Sequence, residues 1–325
     1  MLYGITMGDS SGIGPEIILK SFKQDQICHP IVVYGDLAVL DYYNQLLGLR
    51  VPLRRAQAGD LPYPGVLNVL DHNLMQTGDI TPGKVNAKSG HAAREYVIAA
   101  ARDALAGKIG AMITLPMNKE ATQLTDPAFV GHTELIGKVC GVKDVTIMLA
   151  SDELIVTHVS THTSLRNAID QARKDRICTI IRLTSDAVHG LMPHPRIAVA
   201  GLNPHAGENG LFGDEEINEI RPAVEWARGQ GMPVEGPLPP DTLFYMAVRK
   251  KKYDAIVCMY HDQGHVPLKL LDFEGGVNVA LGLPIIRTSV DHGTAFDIAG
   301  TGVASTKSLL KALDFAVRMA QQRAV

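Results

Sequence analysis

Three histidines of this chain sit in short segments rather than on a helical face, two of them bounded by glycine or proline. They are Ser160-Thr161-His162, Gly201-Leu202-Asn203-Pro204-His205-Ala206-Gly207 and Met259-Tyr260-His261-Asp262-Gln263-Gly264. Three neutral imidazoles that leave one coordination position open form the donor set of a catalytic divalent metal of the zinc type. The last two segments directly follow strand-like runs, and open α/β sheets bind ligands beyond the carboxyl ends of their strands. No short-range spacing links the three, so each alone reads first as a hydrogen-bonded loop residue; their common placement joins them. Spacing also prunes the set. His158 and His162 are four apart, but Val156, Thr157, Val159 and Thr161 favour a strand, on which the two would stand roughly 13 Å apart. At most one of them is a ligand.

Two glycine-rich segments add a second kind of site. Gly8-Asp9-Ser10-Ser11-Gly12-Ile13-Gly14-Pro15-Glu16-Ile17 lies between a strand-like run and a helical pattern. Gly12 and Gly14 permit a tight turn, and Pro15 suits the first helical position. Ile17 stands where a Rossmann fingerprint needs its third glycine, and no Gly-Lys-Ser/Thr ending makes it a P-loop. Far downstream runs Asp291-His292-Gly293-Thr294-Ala295-Phe296-Asp297-Ile298-Ala299-Gly300. Together the two segments resemble the β-decarboxylating dehydrogenases of the isocitrate and isopropylmalate type. That resemblance implies a non-Rossmann nicotinamide cofactor site formed by Gly12, Gly14, His292, Gly293, Ala295 and Asp297, the last four near the adenosine.

These residues need a scaffold, and the pattern of the chain supplies one. Apolar, β-branched runs at residues 3–7, 31–34, 66–70, 111–115, 145–149, 154–161, 197–202, 255–259 and 277–281 predict strands. Amphipathic stretches at 92–105, 215–228 and 308–321 predict helices, the first with Ala93, Tyr96, Val97, Ala100 and Ala101 on one face. Alternation of this kind means an α/β fold with largely parallel sheets. No linker, repeat or low-complexity tract separates domains, so two lobes would have to be interleaved. The run Arg249-Lys250-Lys251-Lys252 is expected to close a helix, where cations meet the negative end of the dipole.

The net charge of −3 argues against nucleic acid as the main partner. Four widely separated cysteines fit a reduced, cytoplasmic protein with inert thiols. No apolar run is long enough to span a membrane, and the first residues lack the basic flank of a signal peptide. With 325 residues the chain buries a sizeable core without help, so an inferred metal is catalytic rather than structural.

The middle of the chain carries a closer resemblance. Gly131-His132-Thr133-Glu134, Ser160-Thr161-His162, Gly201 to Glu208, Asp241-Thr242, Met259 to Gly264 and Gly282-Leu283-Pro284-Ile285-Ile286-Arg287-Thr288-Ser289 look like the 4-hydroxythreonine-4-phosphate dehydrogenase family. The resemblance implies a homodimer of two interleaved α/β/α lobes of the isocitrate/isopropylmalate dehydrogenase-like type, with the active site in the cleft. It implies lobes of about 1–125 plus 288–325 on the cofactor side and 126–287 on the metal and substrate side. Metal ligands map onto His162, His205 and His261, the last from the partner subunit. Substrate-binding residues map onto His132, Thr133, Lys269, Asn278 and Arg287. His158, His265 and the stretch 207–216 resemble the branch that acts on D-threonate or D-erythronate 4-phosphate.

The chemistry expected is NAD- or NADP-linked oxidation of an alcohol β to a carboxylate, aided by one divalent metal (Zn, Co, Mn or Mg), then decarboxylation. Arg287 and Lys269 would supply positive charge to phosphate and carboxylate. Asp241 and Asp262 are candidates for the base, as is Lys269, although partners orienting the histidines is the preferred role for the two acids. Lys119 reads equally as facing the cleft or as a surface lysine. Alternatives left open are 4-hydroxythreonine 4-phosphate, an aromatic cis-dihydrodiol, and a non-catalytic metal- or nucleotide-binding regulator.

Overall fold

The computed structural model describes residues 1–57, 59–273 and 275–323. The chain forms two compact units, unit 1 from Met1–Lys143 and Leu283 onward, unit 2 from Asp144–Gly282. The chain enters unit 2 after residue 143 rather than after 125, and leaves it before Leu283 rather than after Arg287. His132, Thr133 and Arg287 therefore belong to unit 1, not to the unit of the metal-candidate histidines.

Unit 1 is built on strands β1 (Tyr3–Thr6), β2 (Ile31–Gly35), β3 (Leu53–Ala56), β4 (Leu67–Asp71) and β5 (Ala111–Thr114), joined after the passage through unit 2 by β12 (Arg287–Val290). Their order is β3-β4-β2-β1-β5-β12, parallel throughout. Ile31, Val32 and Val33 are all buried, as expected of parallel strands covered on both faces. The helix Ala87–Leu105 supplies part of that cover. Ala93, Tyr96, Val97, Ala100 and Ala101 are buried along one stripe, and Asn86 caps it by accepting from the Lys88 and Ser89 amides. From β1 the chain builds outward to β2 and later returns on the other side at β5. A crevice at the carboxyl ends of β1 and β5 follows from that reversal. There the Asp9 amide donates to the Pro116 carbonyl at 2.9 Å, fastening the two loops.

Unit 2 holds β6 (Thr146–Ala150), β7 (Ile155–His158), β8 (Ile197–Ala200), β9 (Val234–Leu238), β10 (Ala255–Cys258) and β11 (Val277–Leu281), ordered β11-β6-β7-β10-β8-β9. The β11–β6 and β6–β7 pairs are antiparallel; β7, β10, β8 and β9 run parallel. Val156, Ala198, Ile256 and Leu268 lie in its core.

Three strands escape the sequence pattern for physical reasons. β3 and β9 close the outer ends of their rows; Leu53-Arg54-Arg55-Ala56 has little apolar signal, and Val234-Glu235-Gly236-Pro237-Leu238 carries Gly and Pro. β12 begins on a charge. The apolar run Leu283–Ile286 before it, expected to be strand-like, makes no ladder of its own, since Gly282 adopts φ +87° and Pro284 has no N–H. The expected strand at 154–161 stops at His158, where the chain turns and the Ser160 hydroxyl donates to the Met259 carbonyl at 3.1 Å. The helix expected over 215–228 starts as one π-helical turn, Glu216–Ile220, before Arg221–Gly229; Ile220 and Val224 are buried, Ile217 and Trp226 are not. Arg249 does cap the helix Pro240–Val248. Among the described residues no helix is long and apolar enough to cross a membrane.

Candidate active site

His162, His205 and His261 all lie just beyond the carboxyl ends of neighbouring parallel strands, β7, β8 and β10. One buried side chain ties two of these loops. Gln263 accepts from the Met259 amide at 2.7 Å and donates to the Gly201 carbonyl at 2.8 Å. Sequence reading passed over Gln263 as a motif letter, since a clamp of this kind has no spacing signature.

The rings of His162 and His261 approach to 5.5 Å between centroids, and those of His261 and His265 stack at 3.5 Å. His265 Nδ1 in turn lies 3.1 Å from Nε2 of His158, which is fully buried in β7. Burial, then the neighbouring His265, hold the His158 pKa down to about 3, so it stays neutral. Gly264 is required at its position because a Cβ there would stand 2.5 Å from His158 Nε2. His205 is exposed and sits apart, its ring 6.2 Å from that of Phe212. Among the described residues no three His, Cys, Asp or Glu side chains gather into a metal cage within one chain.

The donor chemistry nevertheless fits a divalent metal. His261 Nδ1 is 2.7 Å from the Asp262 carboxylate, which accepts and so fixes the proton on Nδ1 and leaves the Nε2 lone pair outward. Asp262 thus stands where an orienting partner is needed. Asp241 is exposed at the start of the helix Pro240–Val248 and makes no hydrogen bond to the three histidines.

His205 has an unusual backbone. His205, Ala206, Gly207, Glu208 and Asn209 all adopt positive φ, between 42° and 78°, giving a left-handed turn Pro204–Gly210. Each non-glycine residue there costs about 1–2 kcal/mol. Strain of that size persists only where the surroundings over-determine it, which is common at functional sites.

In unit 1, Arg287 is 3% exposed, and its Nε and Nη2 donate to the Thr114 hydroxyl at 3.1 and 2.7 Å. No carboxylate lies within 4.0 Å of it among the described residues. Burial lowers its pKa to about 10, opposed by the charge of Glu134. His132 begins the helix His132–Cys140, with Thr133 next. Burial, then the Arg287 charge, push the His132 pKa down to about 3, while its ring bonds the Leu115 backbone. His132 Nε2 is sealed from solvent without a partner. Arginine fork, hydroxyl and neutral imidazole thus meet at the carboxyl end of β5. A buried guanidinium in such company has the chemistry to bind an anion. In unit 2, Asn278 also keeps a buried Oδ1 without a partner, and Lys269 lies over the Phe273 ring at 5.0 Å. Lys119 is exposed at the start of a short helix capped by Asn118.

The two glycine segments meet. The Ile13 amide donates to the Thr294 carbonyl at 3.1 Å, and a Cβ on Gly12 would lie 2.9 Å from that oxygen. Buried Glu16 accepts from the Gly302 and Ala304 amides at 3.2 and 2.8 Å, and Lys20 donates to both carbonyls at 2.6 Å. Neither Glu16 nor Lys20 stood out in the sequence. His292, Gly293 and Asp297 remain exposed, and Ala295 takes φ +44°. Gly14 opens the helix Gly14–Lys23 but is buried there, where a Cβ would lie against the Met7 carbonyl. The exposed loop at His292, Gly293 and Asp297 is the part of this region open to a nucleotide cofactor.

Known proteins that match nearly the whole chain are named dehydrogenases, which makes this an oxidoreductase of the dehydrogenase class. Residues 26–316 match the family described as pyridoxal phosphate biosynthetic protein PdxA, and the chain belongs to that family. It is 44% identical to the D-threonate 4-phosphate dehydrogenase of Pectobacterium atrosepticum, across 98% of this chain and 99% of the relative. It is 45% identical to the 4-hydroxythreonine-4-phosphate dehydrogenase of Beijerinckia indica, across 97% and 94%. The crystal structure of a 4-hydroxythreonine-4-phosphate dehydrogenase from Klebsiella pneumoniae is 45% identical, covers 98% of this chain and 99% of its own, and superposes with a TM-score of 0.90. Overall identity therefore does not separate the two substrate names.

Proposed function

We propose that the protein oxidises a four-carbon 4-phosphorylated hydroxy acid, D-threonate or D-erythronate 4-phosphate, with NAD or NADP as acceptor, followed by decarboxylation. The observation that carries this reading is the buried Arg287 with no carboxylate within 4.0 Å among the described residues. A buried guanidinium left without a counter-ion is costly, and an anionic substrate group supplies one. Arg287 would grip that group as a fork, Thr114 aligning the guanidinium. His132, kept neutral, would offer Nε2 as a hydrogen-bond acceptor without adding a second charge beside Arg287. Thr133 at the helix start would add a hydroxyl, and Lys269 and Asn278 would bind the remaining polar groups.

His162, His205 and His261 would hold a divalent cation such as Zn, Co, Mn or Mg. When bound, the cation supplies Lewis acidity toward the substrate hydroxyl and the enolate left by carbon dioxide. Asp262 keeps His261 in the ligating tautomer. Gly12, Gly14, His292, Gly293, Ala295 and Asp297 would hold the nicotinamide cofactor, which takes the hydride. The proton leaves to Lys269, Asp241 or Asp262, of which Asp262 is already engaged by His261.

The helix that starts at His261 supports a homodimer in which that residue serves the partner's site. Val266 and Leu270, four apart on that helix, are 59% and 86% exposed, and Phe273 just past its end is 74% exposed, apolar surface that calls for cover. Four free thiols fit a cytoplasmic setting.

Turnover of D-threonate and D-erythronate 4-phosphate, 4-hydroxythreonine 4-phosphate and an aromatic cis-dihydrodiol, side by side, tests the reading. The highest kcat/KM is expected on one of the first two. A higher value on 4-hydroxythreonine 4-phosphate would move the chain to the vitamin pathway. No turnover of any would leave a metal- or nucleotide-binding regulator.

A further inference from the structure

The turn that carries His205 rests on one buried acid. Glu216 is 1% exposed and has no cation paired with it among the described residues. Its Oε1 accepts from the Leu202 and Asn203 amides at 2.7 and 2.8 Å, and its Oε2 from the Asn203 side-chain amide at 2.9 Å. Three N–H groups thus do for this carboxylate what a counter-ion would otherwise do. The acid also fills the inside of the turn. A Cβ on Gly207 would stand 2.6 Å from Glu216 Oε2, and one on Gly201 2.9 Å from the Ala206 Cα. Both glycines are therefore shaped to the acid and to the turn, and Gly207 at φ +78° suits the left-handed winding besides.

Glu216 reaches this place because the helix behind it opens with a π-helical turn, Glu216–Ile220, which leaves its first residue directed back toward Leu202 and Asn203. Asn203 is held from a second side by Glu215 at 2.6 Å. The backbone entering the turn is thus fixed at residues 202 and 203, two positions ahead of His205.

We propose that Glu216 is a positioning residue: by holding Leu202 and Asn203 it keeps the turn Pro204–Gly210 wound left-handed and so sets where the His205 imidazole stands. The claim rests on the metal reading only for its consequence in binding. Glu216 is sealed from solvent beneath the turn, and it acts through His205. Glutamine is the telling substitution, since it keeps the shape but sets an amide donor against the Asn203 amide. Aspartate keeps the charge and loses the reach.

The test uses Glu216→Ala, Glu216→Gln, Glu216→Asp and Gly207→Ala, with Arg196→Ala as control. Arg196 pairs with Asp254 at the opposite, amino-terminal end of β8 and β10. Cobalt affinity by calorimetry and the His205 ring resonances by NMR are read alongside thermal stability. Glu216→Ala and Gly207→Ala are expected to weaken cobalt binding about 10- to 100-fold and shift the His205 signals, with kcat falling more than KM for the nicotinamide cofactor rises. Glu216→Gln should fall between them and the native protein, and Arg196→Ala should change neither readout. Lower melting temperature with unchanged cobalt affinity and unmoved His205 signals would overturn the proposal and leave Glu216 a structural acid. Native protein that takes up no cobalt would defeat the metal reading alone, because the His205 resonances still decide the positioning claim.

Discussion

The Arg287 and His132 side chains of unit 1 and the histidine loops of unit 2 are opposite solutions to presenting polar groups. Arg287 and His132 are sunk at the end of β5, and the surroundings change their protonation balance: burial lowers both pKa values, to about 10 and about 3. His162 and His205 are exposed, His261 half-exposed, and their control is conformational, through a strained turn, a glutamine clamp and an aspartate. A buried charge waits for a ligand to neutralise it, so its site is set by electrostatics. Exposed imidazoles pay no such penalty and must instead be aimed.

The largest test of that contrast is His205→Ala. Turnover should drop below detection while the melting temperature stays within a few degrees, because an exposed side chain contributes little to the core. Near-native rates after chelator treatment would remove the metal from the mechanism. If His261 serves the partner, re-associating His205→Ala with His261→Ala subunits should restore one intact site per heterodimer. No recovery after proven subunit exchange would confine each site to one chain.

Arg287→Ala comes next. Loss of a charge-assisted, bidentate contact is worth roughly 2–4 kcal/mol, or about 30- to 1000-fold in kcat/KM. Arg287→Lys should fall between, keeping charge without the fork. A defect confined to phosphorylated substrate assigns Arg287 to the phosphate; equal defects on a dephosphorylated analogue assign it to the carboxylate.

His132 offers a subtler contrast. Its folded pKa lies below its unfolded value of about 6.5, so the unfolded state binds the extra proton. Stability is then fullest above pH 6.5 and falls as pH drops from about 6.5 toward about 3. His132→Gln should flatten that decline in denaturation midpoints; an unchanged slope would place the ring in water. The smallest effect belongs to Arg196→Ala, an exposed pair worth about 0–1 kcal/mol with no change in turnover.

How much of this was legible in the sequence depended on whether a residue's role is local. The strands at 31–34, 111–115 and 277–281 are legible through β-branched runs, and His205 and His261 through glycine or proline beside strand ends, whereas His162 has neither and stands out only by following a strand. The two glycine segments were recognisable, although nothing in them told that Thr294 bonds Ile13. Glu216, Gln263, Glu16 and Lys20 were invisible because their partners are loop backbone groups, and backbone N–H and C=O groups carry no sequence signal. The return into unit 1, expected at about residue 288, falls at Leu283 for a related reason. Arg287 follows an apolar run that reads as a strand, but Pro284 and Gly282 postpone the ladder to Arg287 itself.

The order in which unit 1 acquires its strands has a consequence for how the protein is made. During synthesis β1 to β5 emerge first, and the side of β5 that later pairs with β12 stays bare until some 170 further residues have followed. A bare edge of Ala111–Thr114 is a template for wrong partners, so a nascent chain paused before residue 287 carries an aggregation hazard. The strand that covers it brings Arg287, and the loop with His292 comes directly behind. A chain cut short therefore lacks the shield, Arg287 and the downstream glycine-rich loop together, and ribosomal stalling there would yield insoluble fragments rather than half-active enzyme.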